Sequence, residues 1–84
     1  MAITTSGLKE QMRRAFKEEF PEDTVDVSED EHGHFQVLVV SRRFDGMGEK
    51  QKLDLLWNIA RDGLKKTPLR RISLLLGYSP QELL

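Results

Sequence analysis

From Phe35 to Ser41 the chain alternates. Phe35, Val37, Val39 and Ser41 fall on one face of an extended segment and Gln36, Leu38 and Val40 on the other, because successive strand side chains point to opposite sides. Both faces are largely apolar, which predicts a central strand. From about Lys50 the period changes, and Leu53, Leu56, Trp57, Ala60 and Leu64 recur at helical spacing. That pattern predicts a helix from about Glu49 to Lys66, weakened at Gly63 and stopped by Thr67-Pro68. Upstream, Leu8, Met12, Phe16 and Phe20 repeat every four residues with Ala15 beside them. They predict a first helix from about Gly7 to Phe20, with Ser6 as its N-cap and Pro21 as its stop. Thr24 to Ser28 alternates polar and apolar, the mark of a strand with one wet face, and Asp30-Glu31-His32-Gly33 turns it into the long strand as a hairpin. Leu69 to Leu76 reads as a third strand. A helical crossover reaches it, and the right-handed rule makes its pairing with the long strand parallel. Ser79-Pro80-Gln81-Glu82 places Ser at an N-cap, Pro at N1 and Glu at N3, a capping box that starts one short helical turn.

The order α-β-β-α-β-α predicts an α+β fold: a two-layer αββαβ(α) domain, with helices on one face of a mixed three-stranded sheet. With 84 residues and no linker, repeat or low-complexity segment, residues 1–84 are expected to form a single domain. The longest apolar runs, Val37 to Val40 and Ile72 to Leu76, are far too short to span a bilayer, so no membrane partner is expected. No secretory pattern opens the sequence, which makes the expected location cytoplasmic, or the stroma or matrix of an organelle, and not secreted. The absence of cysteine excludes disulfides, thiolate ligands and thiol catalysis within this chain. Net charge is −1, but its distribution is uneven. Residues 1–34 carry four basic against nine acidic side chains, a balance of −5, and residues 35–78 carry nine against four, a balance of +5. Such a division makes one side of a small domain attractive to phosphate or to an acidic partner.

Three groups of residues offer chemistry. His32 and His34 lie two apart, so in an extended segment their imidazoles share a face and can meet at one metal ion, with a third ligand from Asp30, Glu31 or a partner. A chance His-Gly turn is the stronger reading. Gly46-Met47-Gly48, at a strand-to-helix turn, can expose backbone N–H groups to phosphate, but Asp45 and Glu49 flank it and repel anions, so backbone conformation explains the glycines better. Arg42, Arg43, Lys50, Lys52, Arg70 and Arg71 make a candidate basic surface for DNA or RNA. Parallel pairing would put Arg42 and Arg43 at the opposite end of the sheet from Arg70 and Arg71, and no aromatic side chain is interleaved for base stacking. Trp57, inside the apolar stripe, reads as packing against the sheet. Ser41 and Ser73 have no base partner in sequence context and the carboxylates lie in surface-like runs, so no catalytic constellation is visible. The pattern is that of a binding module and not an enzyme.

The run from His34 through Phe35, Val37, Val39, Val40 and Ser41 to Phe44-Asp45-Gly46 resembles the BolA family, whose most recognisable stretch reads His-Phe-x-Val-x-Val-Val-Ser-x-x-Phe-x-Gly. Trp57 stands where that family has an aromatic on the following helix, and Tyr78-Ser79-Pro80 is similar to its Tyr-Thr-Pro. The resemblance covers nearly the whole chain and implies an αββαβ domain similar to the type II KH fold. It also implies a partner, a monothiol glutaredoxin or another component of iron–sulfur assembly and redox regulation. The chain is expected to hold no cofactor by itself, the [2Fe–2S] cluster of such complexes being shared with the partner.

Two departures bear on that expectation. Lys52-Leu53-Asp54 stands where the family has Arg-His-Arg, and the family's His just before or within the third strand is missing: positions 69 to 71 are Leu, Arg and Arg. That His is taken to be a cluster ligand, and guanidinium has no lone pair to replace it. Arginine at that position leaves cluster sharing one ligand short. The leading expectation is a non-enzymatic adaptor that meets its partner through His32, His34, Arg70 and Arg71. The alternative is a KH-like nucleic-acid-binding transcriptional regulator using Arg42, Arg43, Gly46, Gly48, Lys50 and Lys52.

Overall fold

The computed structural model describes residues 5–63 and 69–84. Helix α1 (Thr5–Glu19) leads into strand β1 (Thr24–Glu29), which turns back as β2 (Phe35–Val40). A 3₁₀ turn (Arg42–Phe44) opens onto helix α2 (Glu49–Gly63), and a second 3₁₀ turn (Leu69–Arg71) precedes strand β3 (Ile72–Tyr78). A last 3₁₀ turn spans Pro80–Leu83. The sheet order is β1-β2-β3, with β1 antiparallel and β3 parallel to β2, so β2 is the central strand and the sheet is mixed, as the alternation predicts. No helix among the described residues is long and apolar enough to cross a membrane.

One core holds the two layers together. Met12, Phe16 and Phe20 from the α1 stripe meet Val27, Phe35, Val37 and Val39 from the sheet, with Phe44, Leu56, Ile59, Ala60, Ile72 and Leu75. α1 lies against β1 and α2 against β3, and the two helices pack on each other. Where Gly63 passes α1 a Cβ would lie 2.8 Å from that of Ala15, so the absent side chain permits the approach. α1 includes Thr5, which places Ser6 inside the helix and not at its cap. In its last turn Lys17 donates through Nζ to Asp23 O at 2.6 Å, tying the turn that follows back to the helix.

Two expectations need correction. The third strand begins at Ile72 and continues to Tyr78, because Leu69 to Arg71 coil into a 3₁₀ turn and Gly77, which reads as a terminator, is paired within the sheet opposite Val39. Its lack of a side chain serves a close approach: a Cβ there would lie 3.0 Å from Phe44 Cζ. The second helix also buries a different face. Lys52, Leu56, Ile59 and Ala60 point inward, whereas Leu53 is 41% exposed and Trp57 is half-buried at the margin of the core. Leu64 and the predicted stop at Thr67-Pro68 lie outside the described residues.

Candidate functional site

The candidate residues separate onto the two ends of β2, as parallel pairing with β3 requires. At its start, Asp30 organises the hairpin loop. Its Oδ1 accepts the backbone N–H of His32 at 2.8 Å and of His34 at 2.9 Å, and these bonds, the one from His34 foremost, hold its carboxyl below the ordinary range. The loop closes with the Asp30 N–H donating to His34 O at 2.9 Å and with Gly33 at φ 78°. His32 and His34 are left outside, their side chains 75% and 47% exposed. Among the described residues no three His, Cys, Asp or Glu side chains converge as a metal site. The 3₁₀ turn before β3 supplies the rest. Arg71 reaches across and donates through Nε and Nη2 to the Gly33 carbonyl at 3.1 and 3.0 Å. Its guanidinium carbon lies 5.6 Å from the centre of the Phe35 ring. A Cβ at Gly33 would come within 2.9 Å of Arg71 Nη2, so glycine suits the positive φ and leaves the guanidinium its place. Of the two candidate arginines, Arg71 faces the loop and Arg70 is exposed.

At the other end of β2 Arg43 and Lys52 are already engaged. Ser41 is buried, and its Oγ accepts the Arg43 N–H at 3.0 Å, capping the 3₁₀ turn. The Arg43 guanidinium lies 4.6 Å above the Phe20 ring and donates to Glu19 O at 2.8 Å. Phe44 plugs the core against Phe20, their ring centres 5.6 Å apart. Gly46 takes φ 76°, which only glycine adopts without strain, and the Gly48 N–H donates to Gln51 Oε1 at 2.9 Å, so that helix N-terminus carries its own acceptor.

Lys52 is the largest departure from expectation. Placed in the sequence with a basic surface, it is 2% exposed. Its Nζ sits 2.7 and 2.8 Å from the two Glu82 oxygens and 3.1 Å from Glu49 Oε1. Glu82 also accepts the Ser79 N–H at 2.9 Å, the bond the capping box predicts. The hydrogen bond from Lys52 chiefly lowers the Glu82 carboxyl below its ordinary value, and Glu82 in turn raises Lys52 against the opposing effect of burial. A signal for this pairing exists in the sequence: Lys52 shares a helix face with Leu56 and Ile59, a position where a lysine must find a carboxylate. Of the cations proposed for nucleic acid at this end, Arg42 and Lys50 remain exposed.

No protein-family model matches the chain, and no curated protein matches it in sequence. Among solved structures it is similar to BolA1 from Arabidopsis thaliana, with a TM-score of 0.66 and 22% identity over 88% of this chain and 93% of that one. It is likewise similar to a BolA-like hypothetical protein from Rickettsia prowazekii, with a TM-score of 0.65 and 20% identity over 94% of this chain and 97% of that one. The chain therefore has the BolA-like α+β fold.

Proposed function

We propose that this chain is a non-enzymatic BolA-like adaptor that binds a protein partner through the loop end of β2, presenting Arg71 and Arg70 beside His32 and His34. The partner class is a monothiol glutaredoxin or another component of iron–sulfur assembly or redox regulation, and the complex forms without a bridging cluster. What carries this reading is Arg71, fixed by two hydrogen bonds to Gly33 at the junction of loop and third strand. The BolA-like fold supports the partner class, and the donor chemistry argues against the cluster. The chain contributes two imidazoles from one loop and no thiolate, and the residue that reaches the loop from the turn before the third strand is a guanidinium without a lone pair. Such an end suits an acidic group on a partner, to which arginine donates two parallel bonds.

The test is titration calorimetry against a monothiol glutaredoxin, apo and after cluster reconstitution. A complex with the apo partner is expected, weakened roughly tenfold by Arg71→Ala, equivalent to about 1.4 kcal/mol. Visible absorption and circular dichroism of the reconstituted mixture should show no bridged [2Fe–2S] cluster with the wild-type chain and some with Arg71→His, which gives the loop a third imidazole. Absence of any complex overturns the adaptor reading, and a stable bridged cluster with the wild-type chain overturns its cluster-free form. The nucleic-acid alternative has less to stand on, since Lys52 is buried and Arg43 is occupied. It requires affinity that falls by about 0.9 log units per log salt for each duplex phosphate neutralised.

A further inference from the structure

Among the described residues strand β3 is an edge, and its sequence, Ile72-Ser-Leu-Leu-Leu-Gly-Tyr78, carries no charge. Proteins ordinarily guard such an edge with charge, proline or a cover, because its outward N–H and C=O groups invite another strand. The opposite edge is guarded: β1 carries Asp26 and Glu29. We infer that the β3 edge is a self-association surface, where two copies of this chain pair β3 with β3 antiparallel across a twofold axis at Leu76.

The register follows from the hydrogen bonds. The Ser41 N–H donates to Tyr78 O at 2.9 Å, so Tyr78 points its backbone groups toward β2. With alternation, Leu76 and Leu74 do the same, and Leu75 and Gly77 point outward. Two copies exchange four bonds when Leu75 of one meets Gly77 of the other. That register sets Leu76 opposite itself and Leu74 opposite Tyr78, so no charged side chain enters any of these pairs. On the core side Leu75 meets only a glycine, already roofed by Phe44. The equivalent register on β1, with Val25 opposite Val27, sets Asp26 against itself, and like charges directly opposite repel. In this register only the β3 edge is self-complementary.

A second observation points to the same edge. The α1-facing side of α2 carries Leu55, Asn58, Ile59 and Asp62, and at 100° per residue Leu53 and Trp57 fall on the opposite flank. Because α1 lies on β1 and α2 on β3, that flank overhangs the free edge of β3. The apolar stripe that reads from the sequence as core is thus wider than the core it meets. Its surplus is Leu53 at 41% exposure and half-buried Trp57. Two copies related by the axis would cover both.

Sedimentation equilibrium of the full chain over a wide concentration range reads the association directly, and Trp57, the single tryptophan, reports it by a blue shift of emission as concentration rises. Leu76→Lys, which opposes two cations at the axis, is expected to weaken the dimer by at least about tenfold, whereas Asp26→Lys on the other edge leaves it unchanged. Because the chain has no cysteine, Leu76→Cys tests the register without depending on the lysine variant folding. Residues in that pairing lie about 4.5 Å apart at Cα, within disulfide reach, so oxidation should give a covalent dimer. Leu74→Cys places its two thiols about four residues, or ~13 Å, apart along the strands and should not cross-link. A chain that stays monomeric at millimolar concentration overturns the inference. So does a dimer indifferent to Leu76→Lys, or one that cross-links equally through position 74.

Discussion

The two ends of β2 carry similar cations and put them to opposite uses. At the C-terminal end Arg43 and Lys52 are consumed by the fold: one is stacked on Phe20 and bonded to a helix carbonyl, the other buried between Glu82 and Glu49. At the N-terminal end Arg71 makes two bonds to a single carbonyl, with Arg70, His32 and His34 exposed around it. What separates them is the supply of carboxylates and carbonyls within reach. α2 and the last 3₁₀ turn bring acids to Lys52, whereas the loop spends its aspartate on its own backbone. A count of basic residues does not distinguish these cases. A cation is open to a partner where no carboxylate has paired it: Arg71 meets only a carbonyl, and at the other end Arg42 and Lys50 stay exposed.

The sharpest way to break this comparison is to attack the end assigned to scaffolding. Phe44 is 1% exposed, fills the space over Gly77 and packs on Phe20. Phe44→Ala is expected to cost about 3–5 kcal/mol in chemical denaturation, the transfer loss plus the cavity left behind. If the protein tolerates it with less than about 1 kcal/mol, this end is not the structural one.

A smaller effect, with a pH signature, is expected from Glu82→Gln. The carboxyl of Glu82 is lowered from 4.5 chiefly by the hydrogen bond from Lys52, so its contribution is present above 4.5 and lost as pH falls through its depressed folded value. Lys52 is raised from 10.5 chiefly by Glu82, so its contribution is present below 10.5 and lost as pH rises through its elevated value. The difference in melting temperature between wild type and Glu82→Gln should therefore be flat between about pH 5 and 10 and shrink on either side. A difference that persists unchanged well below pH 4 would mean that the ion pair contributes nothing and that only the shape of the side chain matters.

Much of this architecture was legible in the residues. The alternation from Phe35 to Ser41 gave the central strand and its buried face, and Ser79 to Glu82 gave the final turn. Where the structure departs from the local pattern, a distant contact overrules it. Gly77 looks like the end of a strand because nothing nearby announces the Phe44 ring above it. Leu53 and Trp57 look like core because a periodic stripe does not say how much of its width the sheet will cover. The site was legible as a set of candidates and not as a geometry. That Arg71 and not Arg70 faces the loop depends on where a 3₁₀ turn hands over to a strand, and no periodicity marks that point. Lys52 was misplaced because its partner lies thirty residues away.

The smallest effect, and the one that separates the two ends most directly, is expected from Arg71. Arg71→Lys keeps the charge but loses the planar fork that places two N–H groups on one carbonyl and a flat face over Phe35. Since Arg71 is only partly buried and Gly33 O can turn to water, the loss in stability should be about 0.5–1.5 kcal/mol by denaturation, well below that of Phe44→Ala. Arg71→Ala should cost no more than this, because the carbonyl it abandons lies at the surface of a loop that Asp30 still holds closed. If either variant instead unfolds the protein as deeply as Phe44→Ala, Arg71 is a structural clamp like Lys52. The contrast between a spent end and an available end then disappears.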